Sequence, residues 1–243
     1  FARFLRGPAA AKKTLEREQA AVKALIADIS HQTRTPVANL LLYASLLAEG
    51  ELSPEQREQA RALTAQGEKL SFLIQALVKA SRLEAGIVAP PPALSLVGPL
   101  LEGAAEQLAQ AAQEKRITLT AEPLDGWAAF DPRWTGEALC NVVDNAVKYT
   151  PAGGTVRICA QMLDSFCRVD VADSGPGIPE AELGEIFSRF YRGAGTRAAE
   201  GLGLGLYLTR EILASQGGYI KASSRPGEGS TFSLYLPREL PRA

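Results

Sequence analysis

Ile87-Val88-Ala89-Pro90-Pro91-Pro92-Ala93 divides the chain in two. A run of prolines offers no N–H donors and holds φ fixed, so no helix crosses it and the segment reads as a stiff extended linker. The residues on its two sides follow different patterns. Upstream, from Lys12 to Glu84, one stripe recurs at alternating three and four spacing: Val22, Ile26, Ile29, Thr33, Val37, Leu40, Ala44 and Leu47, then Leu63, Leu70, Leu73, Leu77 and Ala80. This is the seam of packed helices. Glu49 to Gln56 interrupts it with Gly50 as a helix stop, Ser53 as N-cap, Pro54 at the first helical position and Gln56 in the capping-box place. A helical hairpin is predicted. Leu41, Leu42 and Ile74 widen its stripe beyond a single helix contact, and a homodimeric four-helix bundle is the simplest way to bury them.

Thr35-Pro36 is ambiguous, since it suits an N-cap followed by the first helical residue. The seam runs through without a turn cluster, which favours a continuous helix bent where Pro36 removes the hydrogen bond to the Gln32 carbonyl.

Downstream of the linker, β-rich and helical runs alternate. Ile117–Ala121, Thr155–Gln161, Phe166–Ala172, Tyr219–Ser223 and Thr231–Leu236 read as strands, and the stretches after Val97, Asp131 and Leu204 as helices. The order suggests a mixed sheet with helices on one face, an α/β sandwich. The whole is therefore α+β with two domains: 1–89 helical, 90–93 linker and 94–243 the sandwich.

Composition narrows the function. The 243 residues carry 26 Lys+Arg against 27 Asp+Glu, a net charge of -1 that supplies no drive toward nucleic acid. Cys140, Cys159 and Cys167 lack any C-x-x-C spacing, which argues against a disulfide framework or a zinc site and suits a reducing compartment. No apolar run approaches the roughly 20 residues of a membrane helix. Arg3, Arg6, Lys12 and Lys13 suit a cytoplasmic juxtamembrane segment, with an ordinary solvated helix start as the equal alternative. A cytoplasmic portion of a cell-membrane protein, anchored by a segment absent from this chain, is the expectation.

The only histidine, His31, lies within the amphipathic helical pattern, in Ile29-Ser30-His31-Gln32-Thr33-Arg34-Thr35-Pro36. A Ser-His-Asp triad, a multi-histidine metal site or a Cys-His pair would each need this one residue, and a helical setting suits none of them. With an unperturbed pKa of about 6.5 the imidazole is mostly neutral near pH 7 and keeps a lone pair for attack on phosphorus. A plain helix-surface residue is the alternative from His31 alone.

Three further elements carry chemistry. Asn141, Asn145 and Lys148 fall on one helix face in Asn141-Val142-Val143-Asp144-Asn145-Ala146-Val147-Lys148-Tyr149. Asn is a poor helix former, so a ligand-facing stripe competes with a merely solvated one; amide oxygens can complete a Mg²⁺ shell and Lys148 can neutralise phosphate. Next, Val169-Asp170-Val171-Ala172-Asp173-Ser174-Gly175-Pro176-Gly177 is a strand ending in a carboxylate and a glycine turn. Asp173 can accept from an adenine amino group while Gly175 and Gly177 let a flat base approach; a simple turn is the alternative. Finally, Gly201-Leu202-Gly203-Leu204-Gly205-Leu206 feeds a helix whose N–H groups suit phosphate, yet its spacing is neither a P-loop nor a G-x-G-x-x-G fingerprint. Between these lies Ile186 to Arg197, an aromatic anchor followed by small and basic residues, as a lid over an anionic ligand requires.

Taken in order, Ser30-His31-x-x-Arg34-Thr35-Pro36, Asn141–Tyr149, Asp173–Gly177, Phe187–Arg192, Gly201–Gly205 and Gly227–Phe232 resemble the sensor histidine kinases of two-component systems over nearly the whole chain. The resemblance implies a dimerisation and histidine phosphotransfer hairpin joined to an ATP-binding domain of the gyrase/Hsp90/histidine kinase/MutL fold. It implies ATP and Mg²⁺ as cofactors, with Asn145 on the metal, Asp173 on adenine, Lys148 and Tyr149 lining the nucleotide and Arg192 at the γ-phosphate. Gly201, Gly203 and Gly205 would hinge the lid. His31 would be the phospho-acceptor and would pass its phosphoryl group to the receiver domain of a cognate response regulator, with Thr35 serving in dephosphorylation of that regulator. Two departures stand out: Gln32 takes the place of a commonly acidic residue thought to act as base, and Thr33 that of a usual leucine. An ATPase of the same nucleotide-binding fold and a non-catalytic dimeric adaptor are the rival functions.

Overall fold

The computed structural model describes residues 32–33, 35–50, 52–84, 91–122, 124–193 and 203–240. It divides into two compact units between Val88 and Ala89.

In the first unit α1 (residues 35–49) is followed by α2 (Pro54–Glu84, 31 residues). Residues 32 and 33 are already helical, so the helix does not begin at Thr35-Pro36. The connection is closed as the sequence requires. Gly50 N–H donates to the Leu47 carbonyl at 3.2 Å. Ser53 N–H donates to Gln56 Oε1 at 2.9 Å, and Gln56 N–H donates to Ser53 Oγ at 3.2 Å, a reciprocal capping box. Val37 and Ala44 of α1 and Ala60, Ala76, Val78 and Ala80 of α2 are buried, and Leu40 and Leu41 lie over Gly67. A second apolar stripe remains uncovered: Leu63, Leu70 and Leu77, one heptad apart, are 43, 44 and 40% exposed.

The second unit contains β1 (Ala93–Leu96), α3 (Gly98–Glu114), β2 (Thr118–Ala121), β3 (Trp127–Phe130), α4 (Pro132–Tyr149), β4 (Thr155–Met162), β5 (Phe166–Asp173), α5 (Gly205–Ser215), β6 (Tyr219–Arg225) and β7 (Gly229–Pro237). Five strands form a sheet in the order β2-β4-β5-β7-β6, with β2 and β4 parallel and the other pairs antiparallel. Alternation sends Val156, Ile158, Val169, Val171, Phe232, Leu234 and Leu236 to one face, where they meet Leu101 and Leu108 of α3, Leu139, Val142 and Val143 of α4 and Leu213 of α5. The opposite face is mostly polar, and on it Phe166, Tyr219 and Tyr235 cluster, the last two rings stacked at 4.3 Å. One covered face and one open face make the two-layer sandwich read from the sequence.

Two strands escape that reading. β1 and β3 form a separate antiparallel pair in which Ala93 sits opposite Phe130 and Leu96 opposite Trp127. Ala93, assigned to the linker from its prolines, is therefore the first residue of β1, because the extended chain after Pro92 is already in strand geometry.

Caps and a buried polar knot fix the helices. Asp131 caps α4 by accepting from Trp134 N–H at 2.9 Å. Gln216, nearly inaccessible at the end of α5, accepts from the backbone N–H of Asp131 and from the Thr135 hydroxyl, tying the two helices together. All three cysteines are free thiols, and burial pushes the Cys167 thiol up to about 11. No helix among the described residues is long and apolar enough to cross a membrane, and no group of His, Cys, Asp and Glu among them could hold a metal ion.

Candidate functional site

Helix α4 turns its apolar side to the core, burying Val142, Val143, Ala146 and Val147, and leaves Asn141, Asn145 and Lys148 partly exposed on its other side. The amphipathic pattern alone dictates this division. Helix α5 begins beside that polar stripe. A Cβ built on Gly205 would lie 3.7 Å from Asn141, and the Thr209 hydroxyl bonds to the carbonyls of Ala138 and Gly205, pinning the start of α5 onto α4. Leu204, at the N-cap of α5, offers no side-chain acceptor, so the first-turn N–H groups have no cap from it. The Asn141 Nδ2 is buried and has no hydrogen-bond partner among the described residues. Among the described residues, a helix start with no side-chain cap from Leu204 and an amide without a partner lie side by side, an arrangement that suits anionic oxygens.

Asp173 closes the other end. It is the last residue of β5, opposite Val156 on one side and Ser230 on the other. Its Oδ1 accepts from Gly175 N–H at 2.8 Å. Burial pushes its carboxyl above the ordinary aspartate range, and the backbone N–H groups of Gly175 and Ser230 pull the other way. A Cβ on Gly175 would stand 3.4 Å from the Tyr149 carbonyl, so the turn after Asp173 abuts the C-terminal end of α4. Gly177 has φ +73, and a Cβ there would overlap the carbonyl oxygen of Arg225. Only glycine serves.

The aromatic segment between these ends is held rather than free. The 3₁₀ turn Glu180–Glu182 leads into Ile186 and Phe187, which pack against the core edge. Phe190, itself at φ +60, donates its N–H to the Gly203 carbonyl at 3.0 Å. Gly203 has φ +68, and a Cβ there would collide with the backbone of Phe190 and Tyr191. Arg189 lies 4.9 Å and Arg210 5.3 Å from the centre of the buried Tyr207 ring.

Asn141, Asn145, Lys148 and Tyr149 lie on α4, Gly205 begins α5 beside them, and Asp173 with Gly175 and Gly177 follows on from β5, while Gly203 abuts Phe190 and Tyr191 and Arg192 is the next residue after them. Gln32 and Thr35 are helical and exposed in the first unit. His31 and Gly201 lie outside the described residues. Tyr207 and Ser224 were not found from the sequence. A tyrosine on a helical stripe and a serine on an alternating strand look like ordinary core and surface positions. Chemically, the site offers the Asp173 carboxylate near the C-terminal end of α4, where Lys148 also lies, and the Asn141 amide beside the start of α5, with Asn145 between them on the α4 stripe. That polarity suits a nucleotide with its base on Asp173 and its phosphates toward α5.

Residues 130–240 match the family described as histidine kinase-, DNA gyrase B- and HSP90-like ATPases, and residues 21–86 match the His Kinase A (phospho-acceptor) domain. The sensor histidine kinase AruS of Pseudomonas aeruginosa is 35% identical over 233 residues, covering 91% of this chain and 23% of that protein. The sensor-like histidine kinase SenX3 of Mycolicibacterium smegmatis is 31% identical over 91% of this chain and 59% of its own length. The histidine-protein kinase/phosphatase MprB of Mycobacterium avium is 33% identical over 90% and 44%. Among solved structures, full-length ShkA in complex with AMPPNP superposes with a TM-score of 0.77 at 31% identity, over 90% of this chain and 47% of ShkA. The chain spans between 23% and 59% of the length of these relatives.

Proposed function

The chain belongs to the sensor histidine kinases, and from that premise we propose that it binds ATP with Mg²⁺ in the second unit, transfers the γ-phosphoryl group to His31, and passes it to an aspartate of a response regulator receiver domain. The observation that carries this reading is the half-buried carboxylate of Asp173 at one end of a site whose other end is the start of α5 beside the Asn141 amide, unpartnered among the described residues. Adenine requires an acceptor for its amino group, and a polyphosphate requires N–H groups and cations.

The residues present also fit the metal. Mg²⁺ prefers oxygen ligands in a near-octahedral shell and keeps several waters, so one amide oxygen from Asn145 on the polar stripe of α4 suffices alongside phosphate oxygens. When bound, it neutralises phosphate charge and holds the phosphates in line. Lys148 and Arg192 add positive charge, and Gly203 fixes the backbone of Phe190 and Tyr191 beside α5. The His31 ring nitrogen forms a bond to the γ-phosphorus as the bond from that phosphorus to the bridging oxygen breaks and ADP leaves. In the opposing activity, hydrolysis of the regulator's aspartyl phosphate, the Thr35 hydroxyl orients a water that bonds to phosphorus as the bond to the aspartate oxygen breaks and inorganic phosphate leaves.

The uncovered stripe Leu63, Leu70 and Leu77 supports a second copy of this chain as the partner that completes a four-helix bundle. On the juxtamembrane reading of Arg3, Arg6, Lys12 and Lys13, the chain acts as the cytoplasmic portion of a membrane sensor. Incubation with γ-labelled ATP and Mg²⁺ tests the function. An acid-labile, alkali-stable label that can be chased onto a receiver domain is expected. ATP hydrolysis with no label retained would instead support a nucleotide-gated ATPase, and neither label nor nucleotide binding would support an adaptor.

A further inference from the structure

Resting on the reading of Asp173 as the group that receives adenine, we propose that Ser224 is a positioning residue for base selectivity. It locks the loop after Asp173 onto the β6–β7 hairpin and so sets the preference for adenine over guanine nucleotides.

Ser224 lies on β6, and its hydroxyl has no spare capacity. Its Oγ accepts from Ile178 N–H at 2.7 Å and donates to the Gly229 carbonyl at 2.7 Å. The Ser230 Oγ stands 3.0 Å away. A hydroxyl has one proton and two lone pairs. With its proton on Gly229, Ser224 accepts from Ser230 as well, so the donor and both lone pairs are used. The two residues it holds on β7 lie against Asp173: Ser230 is its cross-strand partner, and a Cβ on Gly229 would overlap the Asp173 carbonyl oxygen. The residue it holds on the loop, Ile178, follows the close approach of Gly177 to Arg225. A second tie, from Gly227 N–H to the Pro176 carbonyl at 2.7 Å, runs parallel to it. One hydroxyl therefore fixes the carboxylate and the loop against each other.

The consequence is selectivity more than affinity at large. Adenine presents an amino donor where guanine presents an oxygen acceptor. A carboxylate bonds the first and repels the second, but only while it is held where the base edge must fall. Removing the Ser224 hydroxyl leaves Ile178 N–H and the Gly229 carbonyl without that partner and frees the loop to shift.

The test measures dissociation constants for ADP and GDP by titration calorimetry, with melting temperatures, for the wild-type chain, Ser224→Ala, Ser224→Thr and Asp173→Asn. Ser224→Ala should weaken ADP by about tenfold while changing GDP less than about twofold, and Ser224→Thr, which keeps the hydroxyl, should restore the preference. Should Ser224→Ala not fold, Ser224→Cys, with its weak donor and acceptor, should give an intermediate ADP/GDP ratio. An unchanged ratio in the Ser224 variants while Asp173→Asn loses its preference overturns the role of Ser224 and leaves the nucleotide reading standing. An Asp173→Asn chain that keeps the wild-type ratio overturns that reading, and this proposal with it.

Discussion

Asp173 shows at the scale of one residue how a site is built at the expense of stability. Its carboxyl is pushed up by burial more than its two backbone donors pull it down. A folded pKa above the unfolded one means that the charged form is disfavoured in the fold, so this contribution to stability is present at low pH and is lost as pH rises through the folded pKa. Asp173→Asn should therefore melt at the same or a higher temperature than wild type near neutral pH, with the difference vanishing in acid. The same substitution should weaken ADP binding by roughly ten- to a hundredfold, since hydrogen bonds to charged groups contribute about 1.5–3 kcal/mol. In the wild type, ADP affinity should start to fall on acidification above the range of an ordinary aspartate. Gln32 is the other informative residue, helical and exposed, and in sequence it follows His31, the proposed phospho-acceptor. Its amide can accept the Nδ1–H of His31 and set the tautomer, but it lacks the charge that would stabilise the developing cation. Charge-assisted bonds are about twice as strong as neutral ones, so Gln32→Glu should raise the autophosphorylation rate several-fold and Gln32→Ala lower it, with ATP affinity unchanged in both. Equal single-turnover rates for Gln32→Ala and wild type would remove Gln32 from the proton step.

At the scale of elements, two glycines of one motif have different physics. Gly203 sits at φ +68 against the backbone of Phe190 and Tyr191, whereas Gly205 is the first residue of α5 with ordinary space beside Asn141. Gly203→Ala should lower the melting temperature and loosen the 187–192 segment, read as faster proteolysis there. Gly205→Ala should be neutral or raise stability by up to about 1 kcal/mol, the usual helix preference for Ala over Gly. A reversed order would show that the described conformation of this segment is not the one in solution. Much of the element plan was legible beforehand. The starts of α3, α4 and α5 after Val97, Asp131 and Leu204 follow from Pro99, from Pro132 with its capping Asp131, and from the glycine run. The five sheet strands follow from alternation of β-branched and polar residues. β1 and β3 did not announce themselves, because each is four residues long, Trp127-Ala-Ala-Phe130 has no alternation, and Leu94 and Leu96 face solvent. The residues proposed for the nucleotide site could be singled out because their spacing is tied to helix and strand periods. Ser224 was not, because its role exists only once β6, β7 and the 174–178 loop are side by side.

For the whole molecule, the helical unit presents an apolar stripe that a monomer leaves in water. Leu70 is its centre, so Leu70→Lys should convert a dimer to a monomer in sedimentation equilibrium, while ADP binding in the second unit persists with an unchanged dissociation constant. A variant that stays dimeric would place the interface elsewhere on the hairpin. The central claim joins the two units: the nucleotide held by the second is consumed at a residue of the first, and His31 is the only imidazole in the chain. The most direct measurement is peptide mapping of wild type and His31→Ala after incubation with γ-labelled ATP and Mg²⁺. The wild-type label should reside on the peptide containing His31, and His31→Ala should bind ADP normally yet acquire no label; label on another peptide, or retained by His31→Ala, would contradict the account.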